Sequence, residues 1–345
     1  MAQINKPSEH FNTKLYSGNG STQSITGVGF KPDFTWIKGR SGTYNTENHN
    51  AYDSTRGVTK FLIPNGTTAS TTDANSLTAF GTDGFSLGNR GDVNGASTEY
   101  ASWNWKANGG TTSSNTDGSI TSTVQANTTA GFSIVSYTGT GSNATVGHGL
   151  GSAPKVIIVK GRSFVDSWGV YHYSIGNGKN VKLNSNGGQN TSSTHWQDTD
   201  PTSSVFSIGT NTEINTSSAT FIAYCFAEKK GYSKFGSYTG IASSDSNFVY
   251  LGFKPSLIII KNASAASTNW HLYDNKRLGY NVDNNVIQGN TSSAELTNDD
   301  IDFLSNGFKL RRSTSSNNGS GNTMIYMAFA EQPLVGTNNI PATAR

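Results

Sequence analysis

Gly252-Phe253-Lys254-Pro255-Ser256-Leu257-Ile258-Ile259-Ile260-Lys261 is the stretch on which the fold turns. Its apolar part is short, β-branched and preceded by Pro255, which predicts a strand that is central in its sheet or buried on both faces. Two other stretches share its layout. One is Gly29-Phe30-Lys31-Pro32-Asp33-Phe34-Thr35-Trp36-Ile37-Lys38; the other runs from Gly149-Leu150-Gly151 through Pro154 to Ile157-Ile158-Val159-Lys160. A layout that recurs with its landmarks in order marks a duplicated structural unit.

The landmarks extend outward on both sides. Tyr16-Ser17-Gly18, Tyr137-Thr138-Gly139 and Tyr238-Thr239-Gly240 precede the three lysines by 22, 23 and 23 residues, counted from the tyrosine. Phe85, Phe206 and Phe308 follow those lysines by 47, 46 and 47 residues. Between them lie Ala51-Tyr52-Asp53, Val170-Tyr171-His172 and Leu272-Tyr273-Asp274, the last two preceded by Trp168 and Trp270. Each copy closes on an alternating strand. In copy two, Ile222, Tyr224 and Phe226 face one way and Phe221, Ala223 and Cys225 the other. No segment holds a helical period over three turns. The expected architecture is all-β: three tandem jelly-roll or lectin-like β-sandwich domains. The boundaries read as an arm over 1–10, repeats over 11–107, 131–230 and 231–334, a Gly/Ser/Thr/Asn linker over 108–130, and a tail over 335–345. Copies two and three join directly at Glu228-Lys229-Lys230-Gly231-Tyr232, so they are expected to pack more rigidly on each other than copies one and two.

Composition agrees with a turn-rich folded chain. Only 33% of the 345 residues are hydrophobic and 14% charged, yet 17 Phe, 14 Tyr and 6 Trp set the chain apart from disordered sequences, which are poor in aromatics. A net charge of +3 without a Lys/Arg run argues against nucleic acid as a partner. The start, Met1-Ala2-Gln3-Ile4-Asn5-Lys6, has no apolar leader core, and no stretch approaches a membrane span; synthesis in the cytoplasm without a signal peptide and no membrane insertion are expected. Cys225 is the single cysteine, so no internal disulfide forms; it is expected to sit quietly in a strand, where copy three places Ala328.

The pattern Gly-Phe-Lys-Pro-x-x-x-x-Ile-Lys, then Tyr-Asp, then Asn-Gly-Phe-x-Leu, then Ala-Phe-Ala-Glu with the tail Asn339-Ile340-Pro341-Ala342-Thr343-Ala344-Arg345, resembles repeat domains in virion proteins of marine tailed bacteriophages, cyanophages among them. The likeness spans residues 11 to 345 and is strongest from Phe221 onward. It implies a non-enzymatic structural component of the virion's outer surface, a tail-fibre part or a capsid decoration, that contributes to host attachment. It implies other virion proteins as partners and a homo-oligomer, although three copies in one chain could supply pseudo-symmetry alone. A carbohydrate-binding adhesin is the alternative, and a polysaccharide depolymerase comes third.

Candidates for chemistry are few, and no catalytic, cofactor-binding or metal residue is assigned. The six histidines do not pair at ligand spacing. Asp299, Asp300 and Asp302 could hold calcium, but a solvated turn before a strand explains them as well. Arg90-Gly91-Asp92 spells an adhesion tripeptide that arises readily by chance. Trp168, Trp196 and Trp270 have polar neighbours and are the candidates for stacking on a glycan, with the core as the competing reading for the two that are repeat-equivalent. Lys6 and Phe11 mark a docking arm expected to order only on a neighbouring virion protein, and the polar loops where the copies differ, Ser41 to Asn50 and Asn184 to Asp200, are expected to carry partner-facing chemistry.

Overall fold

The computed structural model describes residues 3–278, 281, 283–336 and 341–343, with the backbone alone at 283–284 and 298–300. Each copy sets its lysine-ended strand beside its own last strand in a four-strand antiparallel unit. The spatial order is Phe11–Ser17, Thr98–Trp105, Phe34–Gly42, Asn50–Asp53 in copy one. It is Phe132–Thr138, Thr220–Phe226, Val156–Gly161, Trp168–His172 in copy two, and Ser233–Thr239, Thr323–Pro333, Phe253–Asn262, His271–Asp274 in copy three. A second layer covers one face of each: Gln23–Thr26 with Gly84–Leu87 and Leu77–Gly81, then Ala144–Gly147 with Val205–Ile208, then Phe248–Tyr250 with Gly307–Leu310 and Leu296–Leu304. The fold is therefore all-β, built of antiparallel sandwiches, and its α-helices are four-residue turns such as Gly91–Asn94.

Strand alternation gives each inner sheet two apolar faces. Phe221, Ala223 and Cys225 face the sandwich core of copy two, while Ile222, Tyr224 and Phe226 face a larger core shared by all three copies. That shared core follows from register. Trp105, Phe226 and Phe329 each pair with the residue four before their copy's lysine, namely Phe34, Val156 and Leu257. Their rings form a triangle, with centroids 6.3 Å apart for Trp105 and Phe226, 5.5 Å for Trp105 and Phe329, and 5.8 Å for Phe226 and Phe329. Equivalent residues meeting at one point define a pseudo-threefold axis along the three central strands. One layer on, Trp36, Ile158 and Ile259 line a small apolar cavity of about 20 Å³ on that axis.

Two expectations are corrected by this closure. The stretch 108–130 is no free linker: Ser113–Asn115 and Ser122–Asn127 are strands that extend the inner sheet of copy two, and Ile120 and Val124 are buried in its core. Its polar composition hid two strands because they lie at a sheet edge, where one face stays wet. Nor do copies two and three form a privileged pair, because all three share the axial core.

The arm is also already docked within the chain. Ile4 is buried in the axial core and its N–H donates to Lys230 O at 3.1 Å; Pro7 is buried at the head of a short 3-10 turn, Pro7–Glu9. Phe11 is 1% exposed and stacks on Phe329 at 5.3 Å, whereas Lys6 stays at the surface beside Glu9. An arm that buries an isoleucine is part of the fold, so deleting Met1 to His10 should lower unfolding stability by about 2–4 kcal/mol, read from denaturant midpoints. An unchanged midpoint would mean that the arm only lies on the surface.

Gly18, Gly139 and Gly240 show why the turn after the first inner strand repeats. A Cβ there would come within 2.2, 2.3 and 2.3 Å of the carbonyl oxygens of Gly95, Thr216 and Gly319. Close backbone approach leaves room for glycine alone.

Candidate functional site

The polar groups that recur at the copy-to-copy junctions are the first cluster that chemistry could use. Lys38, Lys160 and Lys261 are fully buried and donate to carbonyl oxygens. Lys160 Nζ reaches Thr67 O of copy one at 3.1 Å, and Lys261 Nζ reaches Asn186 O of copy two at 3.3 Å. Lys38 stays within its own copy, on Gly39 O at 2.9 Å and Asn45 O at 2.5 Å. Burial lowers all three ammonium groups to about 8.

A second ring of donors runs in the same sense. Trp168 Nε1 donates to Ile63 O at 3.0 Å, Trp270 Nε1 to Lys182 O at 3.0 Å, and His49 Nε2 lies 3.2 Å from Gln288 O. His49 stands three residues before Tyr52, as Trp168 and Trp270 stand before Tyr171 and Tyr273, so an imidazole replaces two indoles at the junction of copies one and three. A third set, from each last strand to the neighbouring copy, joins the same pairs in the same sense. Tyr224 OH donates to Asp53 Oδ2 at 2.7 Å, Trp103 Nε1 donates to Asp274 Oδ2 at 3.0 Å, and His172 Nε2 lies 3.2 Å from Tyr326 O. Asp53 and Asp274 are held in turn by Arg56 and Arg277, every side chain fully buried. These groups are consumed in joining copies and face no open space.

The glycan candidates resolve the same way. Trp168, Trp196 and Trp270 are 1%, 1% and 3% exposed, which withdraws their rings from any sugar. Polar neighbours in sequence left exposure open, but the indole N–H groups of Trp168 and Trp270 are satisfied by backbone carbonyls of the adjacent copy. Arg90 folds back onto Asp92 and Asp73, at 2.5 and 2.7 Å, so the tripeptide is spent internally. The Asp299 and Asp300 side chains lie outside the described residues; Asp302 pairs with Arg311 at 3.4 Å, and burial raises its carboxyl. Among the described residues, no three His, Cys, Asp or Glu side chains converge as a metal site would require. Cys225 is buried, and burial pushes its thiol well above the ordinary range.

One cluster went unread in the sequence. Ser192 Oγ lies 2.8 Å from His195 Nδ1, and His195 Nε2 lies 2.9 Å from Glu213 Oε2. Burial alone would raise the Glu213 carboxyl, but hydrogen bonds from His195 and Lys182 bring it below its ordinary value. The order hydroxyl, imidazole, carboxylate is that of a proton relay. Here Lys182 already neutralises the carboxylate, and the Ser192 hydroxyl is shared with Thr194 Oγ1 at 3.0 Å, so the network staples Ser193–Trp196 and Thr212–Asn215 to Lys179–Lys182. Asn94, Asn215 and Asn318 were also missed. Each accepts from a backbone N–H on Oδ1 and donates through Nδ2 to two carbonyls, pinning the turn before the last strand in every copy. Their distances of 56, 55 and 57 residues from the lysines were the available signal.

Among the clefts open to solvent is one of about 460 Å³ at the joint of copies two and three, bounded by Glu228-Lys229-Lys230-Gly231, Lys234 and Tyr250-Leu251-Gly252. Lys234 Nζ donates to Tyr250 O at 2.9 Å and sits 5.2 Å from the Tyr250 ring centroid. Tyr250 is 53% exposed and Phe248, two residues back on the same strand face, 46%.

Fold and junctions together define a class: a single chain in which three all-β sandwiches close around a pseudo-threefold axis. The chain belongs to the family described as a domain of unknown function, DUF7483, which matches residues 6–333 and so spans the three copies and half of the arm. No curated protein matches the chain. No solved structure does either.

Proposed function

We propose that the chain is a non-enzymatic building block on the exterior of a bacteriophage particle, a tail-fibre component or a capsid decoration, acting through its loops on a neighbour or on the host. The observation that carries this reading is the closed axis. Junction lysines, tryptophans and buried aspartates are spent on holding three copies together, which is how a part built for rigidity uses its polar groups. The virion-like sequence pattern supports the same reading, and the closed axis supplies within one chain the threefold unit that fibre proteins otherwise obtain by association. The chain is therefore expected to stand as a single copy, in place of the homo-oligomer implied by the resemblance.

Cryo-electron imaging of purified particles, with the protein identified by mass spectrometry of the same preparation, tests this directly. One copy per attachment point on the outer surface is the expected result. Absence from intact particles, or an internal location, overturns it.

A further inference from the structure

The three copies act as controls for one another. Phe248 and Tyr250 flank Val249, which pairs with Phe308; in copy one Ile25 pairs with Phe85, and in copy two Val146 pairs with Phe206. The residues equivalent to Phe248 and Tyr250 are thus Ser24 and Thr26 in copy one, and Thr145 and Gly147 in copy two. Lys234 is equivalent by register to Asn12 and Ser133, because Ser233, Phe11 and Phe132 each face the ring of the axial triangle. The fold accepts small polar residues at all three positions. Copy three alone carries two half-exposed rings and a lysine there, where they add nothing that the sandwich needs and expose apolar surface to water.

From this departure we infer that the cleft between Lys230, Lys234 and Tyr250 is a binding site for an acidic saccharide. An exposed tyrosine ring gives a flat apolar face for the C–H side of a pyranose and a hydroxyl for its edge. Lys230 and Lys234 flank it with ammonium groups for a ring carboxylate, and the volume of about 460 Å³ falls within the range of small-molecule sites. Three lysines line the cleft with Glu228 among them, a modest positive charge that suits a single ring carboxylate better than a nucleic-acid strand that needs successive phosphate contacts. The inference rests on the exterior role proposed above and names the ligand class that such a surface would meet.

The test uses the full chain and a galacturonic acid tetramer, with its methyl ester and a single-stranded oligonucleotide of equal charge as comparisons, in calorimetric titrations at low and high salt. Binding of the free acid, at least tenfold tighter than of the ester and weakened by salt, is expected. Tyr250→Thr and Lys234→Ser, which import residues that the other copies already fold with, should each weaken binding about tenfold while leaving the thermal midpoint in place. No binding, equal binding of acid and ester, tighter binding of the oligonucleotide, or indifference to both substitutions overturns the inference. Binding by a chain that is absent from particles would sink the exterior role and leave the site standing; a particle-borne chain that binds nothing would do the reverse.

Discussion

Trp105→Ala is expected to cost about 3–5 kcal/mol, the range for emptying a buried tryptophan site, and to lower the unfolding of the entire chain as one event. Trp105 belongs to copy one, but its ring meets Phe226 of copy two and Phe329 of copy three, so the void opens where all three copies touch. Chemical denaturation followed by far-ultraviolet dichroism, beside calorimetry of the same samples, reads the result. A single transition that moves as a whole is the expected outcome. Copies that folded independently would instead give several transitions, of which only one would move.

Acid should be the second strong perturbation. Burial pushes His49 down to about 3, with the nearby Lys38 charge adding to it, and lowers His172 and His271 to about 4, with Lys261 adding for His271. Folded imidazoles thus stay neutral while unfolded ones take up protons below about pH 6.5, so the histidine contribution is fully present above pH 6.5 and drains away as pH falls toward 4. Each histidine contributes roughly 3 kcal/mol to that loss, and together they rival the stability of a whole domain. On the alkaline side the lysines act with the same sign. The three junction lysines, lowered to about 8 by burial, are neutral in the fold while unfolded lysines remain charged up to about pH 10.5, so stability climbs across that interval. Buried tyrosines such as Tyr16, Tyr137 and Tyr224, all raised by burial, take stability away above about pH 10. Urea midpoints measured from pH 4 to 11 should therefore peak near pH 10. A plateau from pH 4 to 8 would show that these histidines are solvated.

The alternation in Phe221 to Phe226 was readable because a strand buried on both faces still sorts its residues by parity, and both faces were filled as the pattern indicated. Repeat spacing likewise placed Lys38, Lys160 and Lys261 at equivalent points. What no pattern disclosed was the destination of the second face. Trp105, Phe226 and Phe329 look like ordinary core residues of separate sandwiches, and only three-dimensional register shows that they meet. Repeat equivalence already favoured the core for Trp168 and Trp270, but not which core: an indole buried against another copy's carbonyl leaves no mark in local sequence. His49 was the one hint, since a polar residue where two copies hold tryptophan signals a junction that needs a donor more than it needs bulk. At the candidate site the position was the opposite. Phe248 and Tyr250 are plainly visible in the sequence, yet only the register reveals that their counterparts are serine, threonine and glycine.

The closed axis also changes what selection can act on. A trimer of identical chains displays every surface feature three times, so a weak contact is multiplied by simultaneous engagement, and every substitution is tripled with it. Fusing the three copies gives up that multiplication and in return unlocks the corners from one another. One corner can carry two aromatic rings and a lysine while its neighbours keep serine, threonine and glycine, and a change of ligand can be tried at a single point without disturbing the other two.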